Sequence, residues 1–157
     1  MKSWLTTRSL ASAGIVAALY TALTLIFAPI SFAQIQFRIA EALTLLPVMS
    51  SASVPGLFIG CLLANLITGQ PWQDVVFGSL ATLIAALLTR RFRERLWLAA
   101  LMPVLINAVV IGGMLWLVYG LHPYISFLTV GAGQAAVCYL LGVPMVGLLR
   151  KRGITVE

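Results

Sequence analysis

Charge is so sparse along this chain that its spacing sets the fold before any motif is read. No charged residue occurs over the 29 positions from Ser9 to Phe37. None occurs over 32 positions between Glu41 and Asp74, over 15 between Asp74 and Arg90, or over 54 from Leu96 to Leu149. A helix that crosses a bilayer needs about 20 apolar residues, within a range of about 17–25. The 157 residues are 61% hydrophobic and 9% charged, against roughly 45–50% and about 25% in soluble domains. Fourteen charged side chains cannot cover a water-exposed surface, which excludes a cytosolic enzyme. The chain is expected to be an all-α integral membrane protein forming one domain over residues 1–157.

The number of crossings follows from where the positive charges sit. Ten Lys/Arg face four Asp/Glu, for a net charge of +6, and they gather in clusters between the apolar runs rather than along one nucleic-acid-binding stripe. Lys2 and Arg8 form one cluster, Arg90, Arg91, Arg93 and Arg95 a second, Arg150, Lys151 and Arg152 a third. Cytoplasmic loops carry the excess of Lys and Arg, so an even number of crossings must separate successive clusters. The first run holds one helix, ended by Pro29, and the last run holds two, divided at Tyr119–Pro123. Parity then makes the segment from Phe37 to Thr68 cross twice, turning where Pro47, Ser50, Ser51, Ser53, Pro55 and Gly56 permit it. Six transmembrane helices result, near 10–28, 37–49, 54–68, 73–89, 96–118 and 125–149, with both termini cytoplasmic in the cell membrane.

Helices two and three are short. Fourteen residues rise about 21 Å, less than the roughly 30 Å hydrocarbon core, so they must be shielded or leave a cavity. The N-terminal segment, with Ser31-Phe32-Ala33 before Gln34, also has the outline of a cleaved signal peptide. Its apolar stretch exceeds the usual 7–15 residues, however, and its Ala/Gly face suits packing, so it is read as helix one.

Polar residues gather towards the outer half. Arg38 and Glu41 lie one turn apart on helix two, and Asp74 begins helix four beside Trp72. Ionisable groups in hydrocarbon are costly and default to functional candidates. Asp74 is equally well explained as a charge at a helix N-terminus; a purely structural Arg38–Glu41 pair would cost less as two apolar residues. Asn65, Asn107 and Gln134 fall on helices three, five and six, where interhelical hydrogen bonding is the commoner role. With Trp72 and the loop residues Gln36 and Phe37, they make a wall suited to a planar, hydrogen-bonding aromatic ligand.

Small residues mark close approaches. Gly56, Gly60 and Ala64 repeat every four residues on helix three; Ala13, Gly14, Ala17 and Ala18 give two such pairs on helix one. They serve either internal packing or docking of another protein, and composition leaves both open. Cys61 and Cys138 lie inside apolar runs without metal or redox spacing and read as buried free thiols. No phosphate-binding loop, HExxH or GxSxG motif occurs, so catalysis would rest on Glu41 and Asp74 alone, and no cofactor or metal is expected.

Three stretches together carry a family likeness: IQFRIAEALTLLP from Ile35 to Pro47, VPGLFIGCLLAN from Val54 to Asn65, and DVVFGSLAT from Asp74 to Thr82. With LMPVLIN ending at Asn107 and the pair Gly133-Gln134, nearly the whole chain resembles the queuosine-precursor transporter (QueT) family. These are substrate-binding S components of energy-coupling factor (ECF) transporters. The resemblance implies a six-helix S-component bundle that binds a deazaguanine base and does no chemistry. It implies partners too: a transmembrane coupling subunit and two cytoplasmic ATPases, docked through small residues of helix one, here Ala13 and Ala17 with Gly14 and Ala18 beside them. A guanine-like edge would offer parallel N–H donors to Glu41, with amides on its carbonyl and Trp72 or Phe37 stacked on the ring. Fold does not fix ligand, so the alternatives are an S component for another vitamin or small solute, a scaffold protein without cargo, and, weakest, a membrane enzyme.

Overall fold

The structure, a computed structural model, describes residues 6–31 and 38–153. Those residues form six helical rods and no strand. Helix α1, Thr7–Ile26, opens where the Thr6 hydroxyl accepts the Ser9 amide at 3.2 Å, and a further turn, Ala28–Ser31, follows it. Helix α2 is Ile39–Val48 and α3 is Ser53–Ile67. Helix α4 starts as a π-type turn, Asp74–Gly78, and continues as Ser79–Arg91. Helix α5 is Leu96–Tyr119, stopped by Gly120 at φ 66°. Its carbonyls are closed by Leu121 N–H on Leu115 O and Gly120 N–H on Trp116 O, the capping pattern that a left-handed glycine permits. Helix α6 is Pro123–Lys151, begun by a proline at its first position and carrying a second π-type turn at Cys138–Gly142.

Among these helices α2 differs in kind. It is wound as a 3-10 helix over ten residues, with Pro47 inside it, where such runs seldom exceed 3–4 residues. At about 2.0 Å per residue it reaches about 20 Å, against about 15 Å for the same residues as an α-helix. The tighter winding carries a short segment further through the bundle. Eight of its ten residues are buried, all but Ile39 and Leu46, and it touches each of the other five helices.

Around this axis the helices alternate in direction. Gly56 sits against Ala13 and Gly60 against Ala17, so α1 and α3 run parallel, with α2 reversed between them in sequence. A Cβ on Gly56 would stand 2.6 Å from the Ala13 carbonyl oxygen, and one on Gly60 2.9 Å from that of Ala17. Backbones meet here at a distance that only glycine allows, the usual way that helices associate where there is no hydrophobic drive. At one end, Arg90 donates to the Pro47 carbonyl at 3.1 Å and Arg150 to that of Arg93 at 3.3 Å. The amino end of α1 points the same way, so all the described basic clusters lie towards one end.

The outside is apolar. Leu10, Ile15 and Leu19 on α1, Leu105 and Val109 on α5, and Leu128 and Leu140 on α6 are all largely exposed, as a lipid-facing surface requires. Three helices, α1, α5 and α6, are long and apolar enough to cross a membrane, while α2 and α3 are apolar but shorter. Exposed aromatics mark both ends: Trp97 near the basic turn, and Trp72, Trp116, Tyr119 and Tyr124 opposite. Trp and Tyr collect at such depths because their rings sit at the headgroup level.

Candidate functional site

Two polar layers cross the bundle at the end away from the arginine turn. The outer layer starts at Arg38, the residue before α2. Its Nη2 donates to Asn65 Oδ1 at 2.9 Å, and Asn65 Nδ2 donates to the Asp74 carbonyl at 3.2 Å. Tyr119 then donates its hydroxyl to Asp74 Oδ2 at 3.1 Å. Helices α2, α3, α4 and α5 are tied in that order. Gly78 makes room: a Cβ there would stand 3.1 Å from Asn65 Nδ2.

The inner layer surrounds Glu41, which is only 2% exposed. Tyr20 of α1 donates to Oε1. Gln134 of α6 donates to Oε2 at 3.0 Å, and Asn107 of α5 lies 3.5 Å from the same oxygen. Among the described residues these three donors reach the carboxylate, which presents about four lone-pair positions. Beneath it Thr44 donates to the Glu41 carbonyl at 2.6 Å. The 3-10 winding matters here, because residues three apart eclipse and so Arg38, Glu41 and Thr44 stand in one row.

Arg38, Glu41, Asp74, Asn107 and Gln134, drawn from α2, α4, α5 and α6, share one cavity wall. Its remaining lining repeats every four residues on each helix: Gly78 and Thr82 follow Asp74, Ile111 follows Asn107, and Val130 precedes Gln134. The cavity is tight, with about 20 Å³ open to the centre of a water-sized body, room for about one water. Small-molecule pockets run to about 300–1,000 Å³, so a larger guest must displace side chains. The non-α turns cluster here as well. Asp74–Gly78 lies in the wall and Cys138–Gly142 begins one turn below Gln134; π-type turns inside α-helices are frequent at functional sites.

Of the residues singled out from sequence, Arg38, Glu41, Asp74, Asn107 and Gln134 meet at the cavity, with Asn65 bridging Arg38 to Asp74 directly behind them. Trp72 does not join them: it is 66% exposed and outside the wall. Gln36 and Phe37 lie outside the described residues. Two further partners, Tyr20 and Tyr119, escaped notice. Tyr20 continues the buried stripe of Val16, Ala17 and Thr24 on α1, so a polar group on a packing face was the available signal. On α1, Ala17 is buried and Ala13 half-buried, both turned to α3, whereas Gly14 and Ala18 are exposed. Of the four residues expected to dock a partner, only these two face outward. Cys61 and Cys138 are buried free thiols. Among the described residues no group of His, Cys, Asp or Glu is placed to hold a metal ion.

Comparison with known proteins points one way. The family model described as QueT transporter matches residues 10–151. The queuosine precursor transporter QueT of Lactococcus lactis subsp. cremoris (strain MG1363) is 35% identical over 94 residues, 56% of this chain and 55% of that protein. The chain thus matches about half the length of this curated relative. No solved structure matches.

Proposed function

Because the chain belongs to the QueT transporter family, we propose that it is the substrate-binding membrane subunit, or S component, of an energy-coupling factor importer. Its cargo is a queuosine precursor, a deazaguanine base taken from outside the cell. One observation supports this reading above the rest: polar groups from α2, α4, α5 and α6 line one cavity around a buried carboxylate, with Tyr20 and Asn65 hydrogen-bonded behind them. That arrangement provides donors and acceptors in fixed directions, as recognition of a flat heterocycle needs.

In this reading Glu41 accepts the adjacent N–H groups of the base. An acceptor position comes free on Oε2 when the long Asn107 contact yields. The Asn107 and Gln134 amides then turn to the ring carbonyl, and Arg38 and Asp74 fill the remaining polar edge. Trp72, exposed beside Asp74, belongs to the outer approach. The chain itself hydrolyses no ATP; a coupling subunit with two ATPases drives release on the cytoplasmic side, engaging the outward face of α1 at Gly14 and Ala18. The six helices all cross the cell membrane, the arginine turn and both termini facing the cytoplasm.

Native mass spectrometry of the purified chain tests the proposal. A retained mass equal to a deazaguanine base, displaced by added deazaguanine and not by adenine, is the expected result. Retention of an unrelated vitamin would assign a different cargo to the same scaffold. No bound molecule, with no thermal shift on adding any deazaguanine, would leave a scaffold protein.

A further inference from the structure

A second concavity lies at the opposite end, in the turn between α4 and α5, and nothing in the proposed transport cycle uses it. It is a groove of about 630 Å³ whose wall includes Arg90, Arg91, Arg93 and Arg95. Glu94 is the single carboxylate among them, so four guanidinium groups face one negative charge. Arg91, Arg93 and Arg95 are exposed. The third basic cluster adds to the field, because Arg150 reaches the Arg93 carbonyl at 3.3 Å and Lys151 and Arg152 follow it, exposed.

The groove is not only basic. Leu87 and Leu98 also line it, and Leu87 is 52% exposed on the outer side of α4. Two residues beyond Arg95 stands Trp97, 67% exposed and stacked on Tyr139 with ring centroids 5.6 Å apart. Tyr139 also donates to the Trp97 carbonyl at 3.0 Å, which holds the pair in place. Exposed Trp at a helix end marks the level of the lipid headgroups. A soluble anion would have no use for the leucines, and an acidic protein segment would have no use for a wall that continues onto a lipid-facing helix.

We infer that this groove binds the phosphodiester of an anionic glycerophospholipid, the phosphate on Arg91, Arg93 and Arg95 and the glycerol–acyl junction against Leu87 and Leu98. Arginine suits the task because its planar fork meets phosphate oxygens in pairs. Basic pockets between helices on the cytoplasmic side hold anionic headgroups in this way. The site is separate from the Glu41 cavity and stands or falls independently of the cargo.

The test uses the full chain in detergent, offered phosphatidylglycerol and phosphatidylcholine with the same acyl chains and examined by native mass spectrometry. Phosphatidylglycerol should be retained in preference. The triple variant R91Q/R93Q/R95Q should bind it roughly 100-fold more weakly, from the about fivefold that each surface arginine contributes. The triple lysine variant should keep most of the binding, and both should unfold at the wild-type temperature. Equal retention of the two lipids, or unchanged retention by the glutamine variant, would overturn the assignment. So would displacement of the lipid by excess inorganic phosphate, the mark of a soluble-anion site, or by a poly-glutamate peptide, the mark of a protein partner.

Discussion

Glu41 accepts from Tyr20, Gln134 and Asn107, and this decides what a mutation there does. In Glu41→Gln the new amide can turn its NH₂ towards the Tyr20 hydroxyl, which then accepts, while the remaining oxygen keeps Gln134 and Asn107. The protein should therefore stay folded. In the proposed reading the base, however, loses a charged acceptor. Hydrogen bonds to charged groups are worth about 1.5–3 kcal/mol, so calorimetric titration should find deazaguanine binding weakened roughly 10- to 150-fold. Wild-type affinity in this variant would make Glu41 structural and move the recognition role to Asp74. Most of this site was legible in the sequence, because an uncharged apolar background makes each polar residue conspicuous. Tyr20 and Tyr119 were not, since tyrosine is apolar enough to pass as core or interface. Nor could spacing tell that Arg38 donates to Asn65 across helices, a contact 27 residues away in sequence.

At the scale of single helices, α1 presents two faces with different work. Its inner face is closed against α3, where a methyl group on Gly60 would press on the Ala17 carbonyl oxygen and the Tyr20 Cβ, each at 2.9 Å, neither of which can give way as a side-chain end can. Gly60→Ala should destabilise the isolated chain by about 1–3 kcal/mol, seen as a lowered unfolding temperature. Its outer face is open, and a Cβ on Gly14 meets nothing within 4 Å. Gly14→Leu with Ala18→Leu should leave the unfolding temperature and base binding unchanged and abolish co-purification with the coupling subunit. If the pair still co-purifies, docking uses another surface. The repeat of small residues was plain in the sequence, but which face each repeat served was not: both faces carry small residues, and only a partner helix with its own glycines distinguishes them. The 3-10 winding of α2 was likewise hidden: Arg38, Glu41 and Thr44 recur every three positions, and residues three apart share a face of an α-helix as well as of a 3-10 helix.

For the whole molecule, charge placement carried the six-helix count, and the structure brings Arg90 to Pro47 and Arg150 to Arg93 at one end of the bundle. Cysteine labelling in intact cells tests the orientation. Pro71→Cys and Leu121→Cys, in exposed outer turns, should react with an impermeant maleimide, and Arg93→Cys should react only after permeabilisation. The neighbouring Gly69 and Gly120 are poor choices, since both hold φ at 66°, which a cysteine adopts only with strain. Native Cys61 and Cys138 are buried and should add little background. Reaction at position 93 from outside would invert or break the topology. What charge parity could not convey was how little room the packed bundle leaves beside Glu41, about 20 Å³, and this bears on rates. A site filled by its own side chains must part before it can admit a base, so encounter alone does not complete binding. In stopped-flow mixing, the observed rate should climb with base concentration and then level off at the first-order rate of parting, whereas encounter at the diffusional limit, roughly 10⁹ M⁻¹s⁻¹, would keep it rising in proportion to concentration. Variants that loosen the outer layer, such as Tyr119→Phe, should raise that plateau, for they release the Asp74 tie and leave Glu41 untouched.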